Sequence, residues 1–132
     1  MEARGRRKDR VLLLAPQNDD TMLLAGLFST AGYALTTVFD DDAAFDLCAR
    51  GFPDAVILDL DTPMLDACTL VRRLRALDGG AALCVVAIVP SRGAPAGPLG
   101  GVDVEVGRPA TVTKLIDALS DARGRKPHGF RT

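Results

Sequence analysis

A cluster of carboxylates follows a short apolar run in the middle of the chain. Residues 55–58 are apolar, and Asp59, Asp61 and Asp66 follow, with Pro63 between them. Short apolar runs bounded by turn residues are typical of buried parallel strands. Because ligands bind where such strands end, we expect Asp59 at the carboxyl edge of a sheet, facing solvent. An aspartate is also a common turn residue, so both interpretations, a reactive carboxylate and a turn, are open.

Four further segments have the pattern of strands. Residues 11–15 and 83–89 are continuous apolar runs, as in central parallel strands. Residues 33–39 are rich in β-forming side chains, and residues 102–106 alternate valine with acidic residues, a period of two that suits an edge strand. With the run before Asp59, the sequence predicts five strands.

Helical spacing of apolar side chains lies between these strands. Helices are predicted to begin after Asn18 or Asp19, after the aspartates at 40–42 and after Thr111, because these side chains can cap a helix amino terminus. A further helix is predicted over residues 68–77, with apolar residues inward and arginines outward.

The alternation of strands and helices predicts an α/β fold, a flavodoxin-like doubly wound sheet of five parallel strands in the order 2-1-3-4-5. The first and third strands are neighbours in that order, so Ala15 and Pro16 should lie near Asp59. Between the fourth and fifth strands, residues 91–101 contain four glycines and two prolines. Because proline costs about 3 kcal/mol inside a helix, this segment is predicted to be a Gly/Pro loop in place of a fourth helix.

Charge divides the chain into three parts. Both ends are basic, and the middle is acidic although the net charge of the chain is only −1. We predict a basic arm over residues 1–9, one domain over residues 10–122 and a basic flexible tail over residues 123–132. The arm contains no aromatic residue and the tail only Phe130, so no nucleic-acid partner is expected. No apolar run is long enough to cross a bilayer, and the chain is predicted to be cytoplasmic.

The residues of common enzyme sites are missing from the pattern. Cys48, Cys68 and Cys84 lie far apart without metal-ligand spacing, and His128 lies in the basic tail. Residues 15–19 contain no glycine-rich phosphate loop, so a flavin or nucleotide enzyme is not expected. The sequence therefore predicts a protein that is not an enzyme.

These segments together resemble the receiver domain of two-component response regulators. The resemblance rests on residues 52–66, on Ala31-Gly32-Tyr33 and on Arg108-Pro109, and it extends over about residues 10–122. It implies that Asp59 is the phosphoacceptor for a histidine kinase. It also implies Mg²⁺ held by that aspartate and an acidic pair after the first strand, a lysine beside the phosphoryl group, and a Ser or Thr and an aromatic residue that move with it.

Several of the matching positions carry other residues. The acidic pair falls on Ala15 and Pro16, which cannot bind a metal, and the lysine is replaced by Arg108, a planar fork rather than a point charge. The two switch positions, hydroxyl and aromatic, fall on Val89 and Glu105. The resemblance is therefore to an atypical, pseudo-receiver-like member.

Two functions follow from this resemblance. The first is a receiver-like signalling domain of a two-component phosphorelay, with Asp59 as phosphoacceptor and Arg108 as its phosphoryl-pairing residue. Asp59 and Asp61 are then the remaining metal ligands, so we expect weak Mg²⁺ binding, only upon phosphorylation, and no other cofactor. The alternative is a phosphorylation-independent protein–protein interaction module. A histidine kinase or a downstream protein is the expected partner, no membrane is involved, and a homodimer is left open.

Overall fold

The computed structural model describes residues 9–51, 53–91 and 99–124, and these contain five strands and four helices. In chain order they are β1 (Arg10–Leu14), α1 (Asp19–Thr30), β2 (Ala34–Val38), α2 (Asp41–Ala49), β3 (Ala55–Asp59), α3 (Ala67–Arg75), β4 (Cys84–Ile88), β5 (Val104–Val106) and α4 (Val112–Gly124). A single 3₁₀ turn, Gly80–Ala82, precedes β4. The predicted arm lies outside the described residues except for Asp9, as does the tail from residue 125 onward.

The five strands form one parallel sheet in the order β2-β1-β3-β4-β5, which confirms the predicted fold. Leu14 pairs with Leu58 and Asp59 pairs with Ile88, so β1, β3 and β4 end at the same edge of the sheet. The fifth strand, Val104–Val106, is shorter than predicted, and Val102 and Asp103 precede it without strand structure.

The central strands are buried on both faces, as their continuous apolar runs predict. One face packs against α1 and α4, through residues that include Leu13, Phe28 and Leu115. The opposite face packs against α2 and α3, through residues that include Leu58 and Leu74. Because consecutive strand residues point to opposite faces, each central strand contributes to both layers of the core.

The helices begin and end where local side chains dictate. Asn18 accepts a hydrogen bond from the Thr21 amide at 2.9 Å, and Asp40 and Asp66 cap α2 and α3 in the same way. The hydrogen bonds from Thr69 hold the pKa of Asp66 below its ordinary value. Helix α1 ends before Gly32, whose φ of +99° is the left-handed conformation that glycine adopts without strain. The caps predicted at residues 18 and 40 are thereby confirmed.

The last helix extends beyond the predicted end of the domain. It continues through Arg123 and Gly124, two residues beyond the expected boundary at 122. The Arg123 guanidinium lies 3.2 Å from the Asp9 carboxylate, next to the start of β1. This ion pair joins the last turn of α4 to the residue that precedes the sheet.

One predicted orientation on α3 is wrong. Arg75 was expected to point outward, but its guanidinium donates to the Gly80, Leu83 and Gly101 carbonyls at 2.6–3.0 Å and pairs with Asp103 at 3.0 Å. These acceptors lie in turns next to α3. The long arginine side chain reaches their carbonyl groups, although the helical spacing of the sequence gives no sign of these contacts. We refer to Arg75 and these partners as the Arg75 clamp.

The connection from β4 to β5 is only partly described. Residues 92–98, most of the predicted Gly/Pro loop, lie outside the described residues, and the segments on either side of them, 89–91 and 99–103, contain no helix. Gly101 has a φ of +86°, and a Cβ there would lie 2.6 Å from the Val71 Cγ1 atom. The backbone therefore passes so close to α3 that only glycine fits.

In the described part of the chain, no helix has the length and apolar character needed to span a membrane.

Candidate functional site

Asp59 lies at the carboxyl edge of the sheet, as its position after the apolar run predicts. It is the last residue of β3, and its side chain is 13% exposed. The chain turns immediately afterwards, because Thr62 donates to the Asp59 carbonyl oxygen through its amide at 3.0 Å and its hydroxyl at 2.7 Å. Thr62 is itself buried. The turn therefore fixes the Asp59 backbone and leaves its carboxylate directed towards the edge.

Arg108 bridges the two carboxylates of this turn. Its Nη2 atom pairs with Asp59 Oδ1 and lies 3.1 Å from Asp61 Oδ2, while its Nε atom donates to the Val89 carbonyl at 2.9 Å. The guanidinium makes these contacts through two nitrogen atoms held in one rigid plane, whereas lysine offers a single nitrogen on a flexible stem. Arg108 therefore neutralises part of the charge of both aspartates and fixes its own orientation on the end of β4.

Ser91 binds the second carboxylate, not the first. Its amide donates to Asp61 Oδ1 at 3.0 Å and its hydroxyl to Asp61 Oδ2 at 2.7 Å. The Asp61 amide in turn donates to Asp59 Oδ1 at 2.9 Å. The two hydrogen bonds from Ser91, with a smaller contribution from the Arg108 charge, hold the pKa of Asp61 below its ordinary value.

The end of β1 contributes no carboxylate to the site. Ala15 is buried and Pro16 follows it. A cavity of about 130 Å³ lies between this end and α1, lined by residues that include Ala15, Asp20, Asp59 and Arg108. The acidic residue that α1 brings to this cavity is therefore Asp20, in its first turn.

The carboxylates of this turn offer few free ligands to a magnesium ion. Mg²⁺ requires several oxygen ligands in octahedral geometry, usually carboxylates and waters. Here both carboxylates of the turn, Asp59 and Asp61, are already in contact with Arg108. Among the described residues there is no group of three or more His, Cys, Asp or Glu side chains that could hold a metal ion.

The side chains at the two predicted switch positions make no hydrogen bond to the carboxylates of the site. The Val89 amide donates to the Val106 carbonyl at 3.0 Å, and its own carbonyl accepts from Arg108, so Val89 contacts the site through its backbone. Glu105 is exposed on the edge strand, and its carboxylate accepts from the Leu99 amide at 3.3 Å. Neither side chain carries a hydroxyl that could hydrogen-bond a group bound to Asp59.

The structure thus brings together Asp59, Asp61 and Arg108, and it adds two residues that the sequence pattern does not place there. Ser91 lies two residues beyond the predicted hydroxyl position, and Asp20 lies in the first turn of α1, beyond the predicted positions of the acidic pair. The signal for Ser91 was its place just after the fourth strand. No pattern in the sequence shows which carboxylate it binds.

Comparison with known proteins supports the resemblance. No family model matches the chain. The transcriptional regulatory protein PrrA of Mycobacterium tuberculosis is 33% identical over 85 residues, which cover 62% of this chain and 35% of PrrA. The chain therefore spans about a third of the length of that relative.

Two solved structures illustrate the shared fold. The receiver domain of the sensor histidine kinase PA1611 of Pseudomonas aeruginosa, with a magnesium ion coordinated in its active-site cleft, has a TM-score of 0.72 and 21% identity, covering 89% of this chain and 98% of that one. The chemotaxis response regulator CheY4 of Vibrio cholerae has a TM-score of 0.76 and 16% identity, covering 87% and 98%.

Proposed function

Since the chain has the fold of response-regulator receiver domains, we propose that it is an atypical receiver-like signalling domain that acts through protein contacts without needing phosphorylation. The observation that carries this proposal is the bridge from Arg108 to Asp59 and Asp61, at a site where Ala15 and Pro16, not an acidic pair, follow β1. A histidine kinase or a downstream protein is the proposed partner, in the cytoplasm, and no catalytic activity is expected.

The charges of the site support this interpretation. Phosphoryl transfer depends mainly on positioning and on neutralising the charge of the transferred group, usually by a metal ion. Here one guanidinium already serves two carboxylates, and Asp20 adds a third negative charge to the same cavity. An incoming phosphoryl group would have to compete with Asp59 and Asp61 for Arg108. Transfer should therefore be slow.

A second candidate function is phosphoryl acceptance at Asp59. The observation that favours it is the cavity of about 130 Å³ beside the Asp59 carboxylate, which leaves an approach to this side chain. In that case Arg108 would move from the aspartates to the phosphoryl oxygens, which a guanidinium fork can bind in a bidentate manner.

A phosphodonor assay on the purified domain separates the two candidates. The protein would be incubated with acetyl phosphate, with and without Mg²⁺, and its intact mass compared with that of Asp59→Asn. We expect no Mg²⁺-dependent gain of a phosphoryl group. A gain that requires Mg²⁺ and disappears in Asp59→Asn would establish the second candidate in place of the first.

The contact surface can be tested separately once a partner co-purifies. Asp59→Asn should leave binding nearly unchanged, because the proposed contacts do not depend on the charge at Asp59. Glu105→Lys should weaken binding if the partner uses the exposed edge strand. Asp103 is unsuitable for this purpose, because its carboxylate is engaged with Arg75 and the Val85 amide. A large loss of binding in a folded Asp59→Asn protein would favour a switch at Asp59.

A further inference from the structure

The Asp61 carboxylate joins two connections that are distant in sequence. It accepts two hydrogen bonds from Ser91, which follows β4, and it pairs with Arg108, which follows β5. Its own amide donates to Asp59. Asp61 therefore links the turn after β3, in which it lies, to the turns after β4 and β5.

The Asp59 carboxylate has a narrower set of contacts. It accepts from the Asp61 amide and pairs with Arg108, and its hydrogen bonds do not include one from Ser91. The Ser91 amide and hydroxyl both donate to Asp61, one to each carboxylate oxygen. The exit of β4, residues 89–91, is thus tied to the site through Asp61.

We propose that Asp61 is the positioning residue of this edge: it fixes the exit of β4 through Ser91 and aims Arg108 at Asp59. Two hydrogen bonds to one charged acceptor are stronger than bonds between neutral groups, so the tie is maintained at neutral pH. It holds whether or not Asp59 ever carries a phosphoryl group. A partner that contacts residues 89–91 then meets one fixed conformation, set by Asp61.

Hydrogen exchange of the Ser91 amide reports the contact of Asp61 with the exit of β4, and the ¹⁵Nε chemical shift of Arg108 reports its contact with Arg108. In Asp61→Ala, the Ser91 amide should exchange about tenfold faster, as expected for the loss of charge-assisted hydrogen bonds. The Arg108 Nε signal should also shift, because its neighbour in the bridge is gone. Asp117→Ala, which removes an exposed carboxylate from α4, is the control and should change neither signal.

Two further variants, Asp59→Asn and Ser91→Ala, separate the contribution of Asp61 from that of its neighbours. Asp59→Asn should leave exchange of the Ser91 amide within about twofold, because this amide is bonded to Asp61. Ser91→Ala removes only the hydroxyl of an exposed residue, so this variant should keep its fold even if Asp61→Ala unfolds. Its residue 91 amide should exchange several-fold faster than in the wild type, because one of the two hydrogen bonds that hold residue 91 to Asp61 is lost. Equal acceleration in Asp59→Asn and Asp61→Ala, or none in Ser91→Ala, would overturn the proposed role.

Discussion

The Arg75 clamp provides a prediction whose size follows from its contacts. Arg75→Ala removes the donors to the carbonyl oxygens of Gly80, Leu83 and Gly101 and the ion pair with Asp103. Each carbonyl bond contributes about 1 kcal/mol net, and an ion pair with side chains 15–21% exposed contributes up to about 1 kcal/mol. Water can replace some of these bonds, so we expect the free energy of unfolding to fall by about 3 kcal/mol.

Equilibrium urea unfolding, followed by far-ultraviolet circular dichroism, measures this loss. Arg72→Ala is the matched control, because Arg72 is exposed on the same helix. Arg75→Lys should lose nearly as much stability as Arg75→Ala, since an ammonium cannot reach three separated carbonyls as the guanidinium fork does. If the free energy of unfolding falls no more in Arg75→Ala than in Arg72→Ala, the contacts of the Arg75 clamp do not stabilise the fold.

Three further predictions concern single side chains. Gly101→Ala should destabilise the fold by about 2 kcal/mol in thermal unfolding, because its φ is +86° and the added Cβ would contact α3. Burial raises the pKa of the Cys48 thiol to about 11, so at pH 8 iodoacetamide should alkylate exposed Cys68 first, as read by peptide mass. Asp61 has a lowered pKa in the folded state, so its ionised form stabilises the fold above about pH 4, and this stabilisation is lost on acidification. Ser91→Ala should raise the pKa of Asp61 in an NMR titration. Equal alkylation of both thiols, an unchanged pKa in Ser91→Ala, or wild-type stability of Gly101→Ala would contradict the respective prediction.

The features that the sequence predicted are those with a local physical cause. Asn18 and Asp40 cap helices through bonds to amides three residues away, and the strands follow from apolar runs buried on both faces. Asp59 could be placed because a strand ends there. Each of these signals lies within a few residues of the structure that it specifies.

The features that it did not predict join residues far apart in the chain. Arg75 meets Asp103 across 28 positions, and Ser91 meets Asp61 across 30. Helical spacing placed Arg75 outward because it describes only which side of α3 a residue occupies. The partner of a long or polar side chain depends on how separate turns pack together, and a single sequence carries no local signal for that packing.

We propose that Arg108, not a metal ion, neutralises Asp59 and Asp61. The direct measurement is an NMR titration of the domain with Mg²⁺ into the millimolar range, in the wild type and in Arg108→Ala. We expect no saturable shifts at the two aspartates in the wild type. Tighter binding is expected in Arg108→Ala, where the carboxylates lose their cation. Saturable wild-type shifts clustered at Asp59 and Asp61 would contradict the claim.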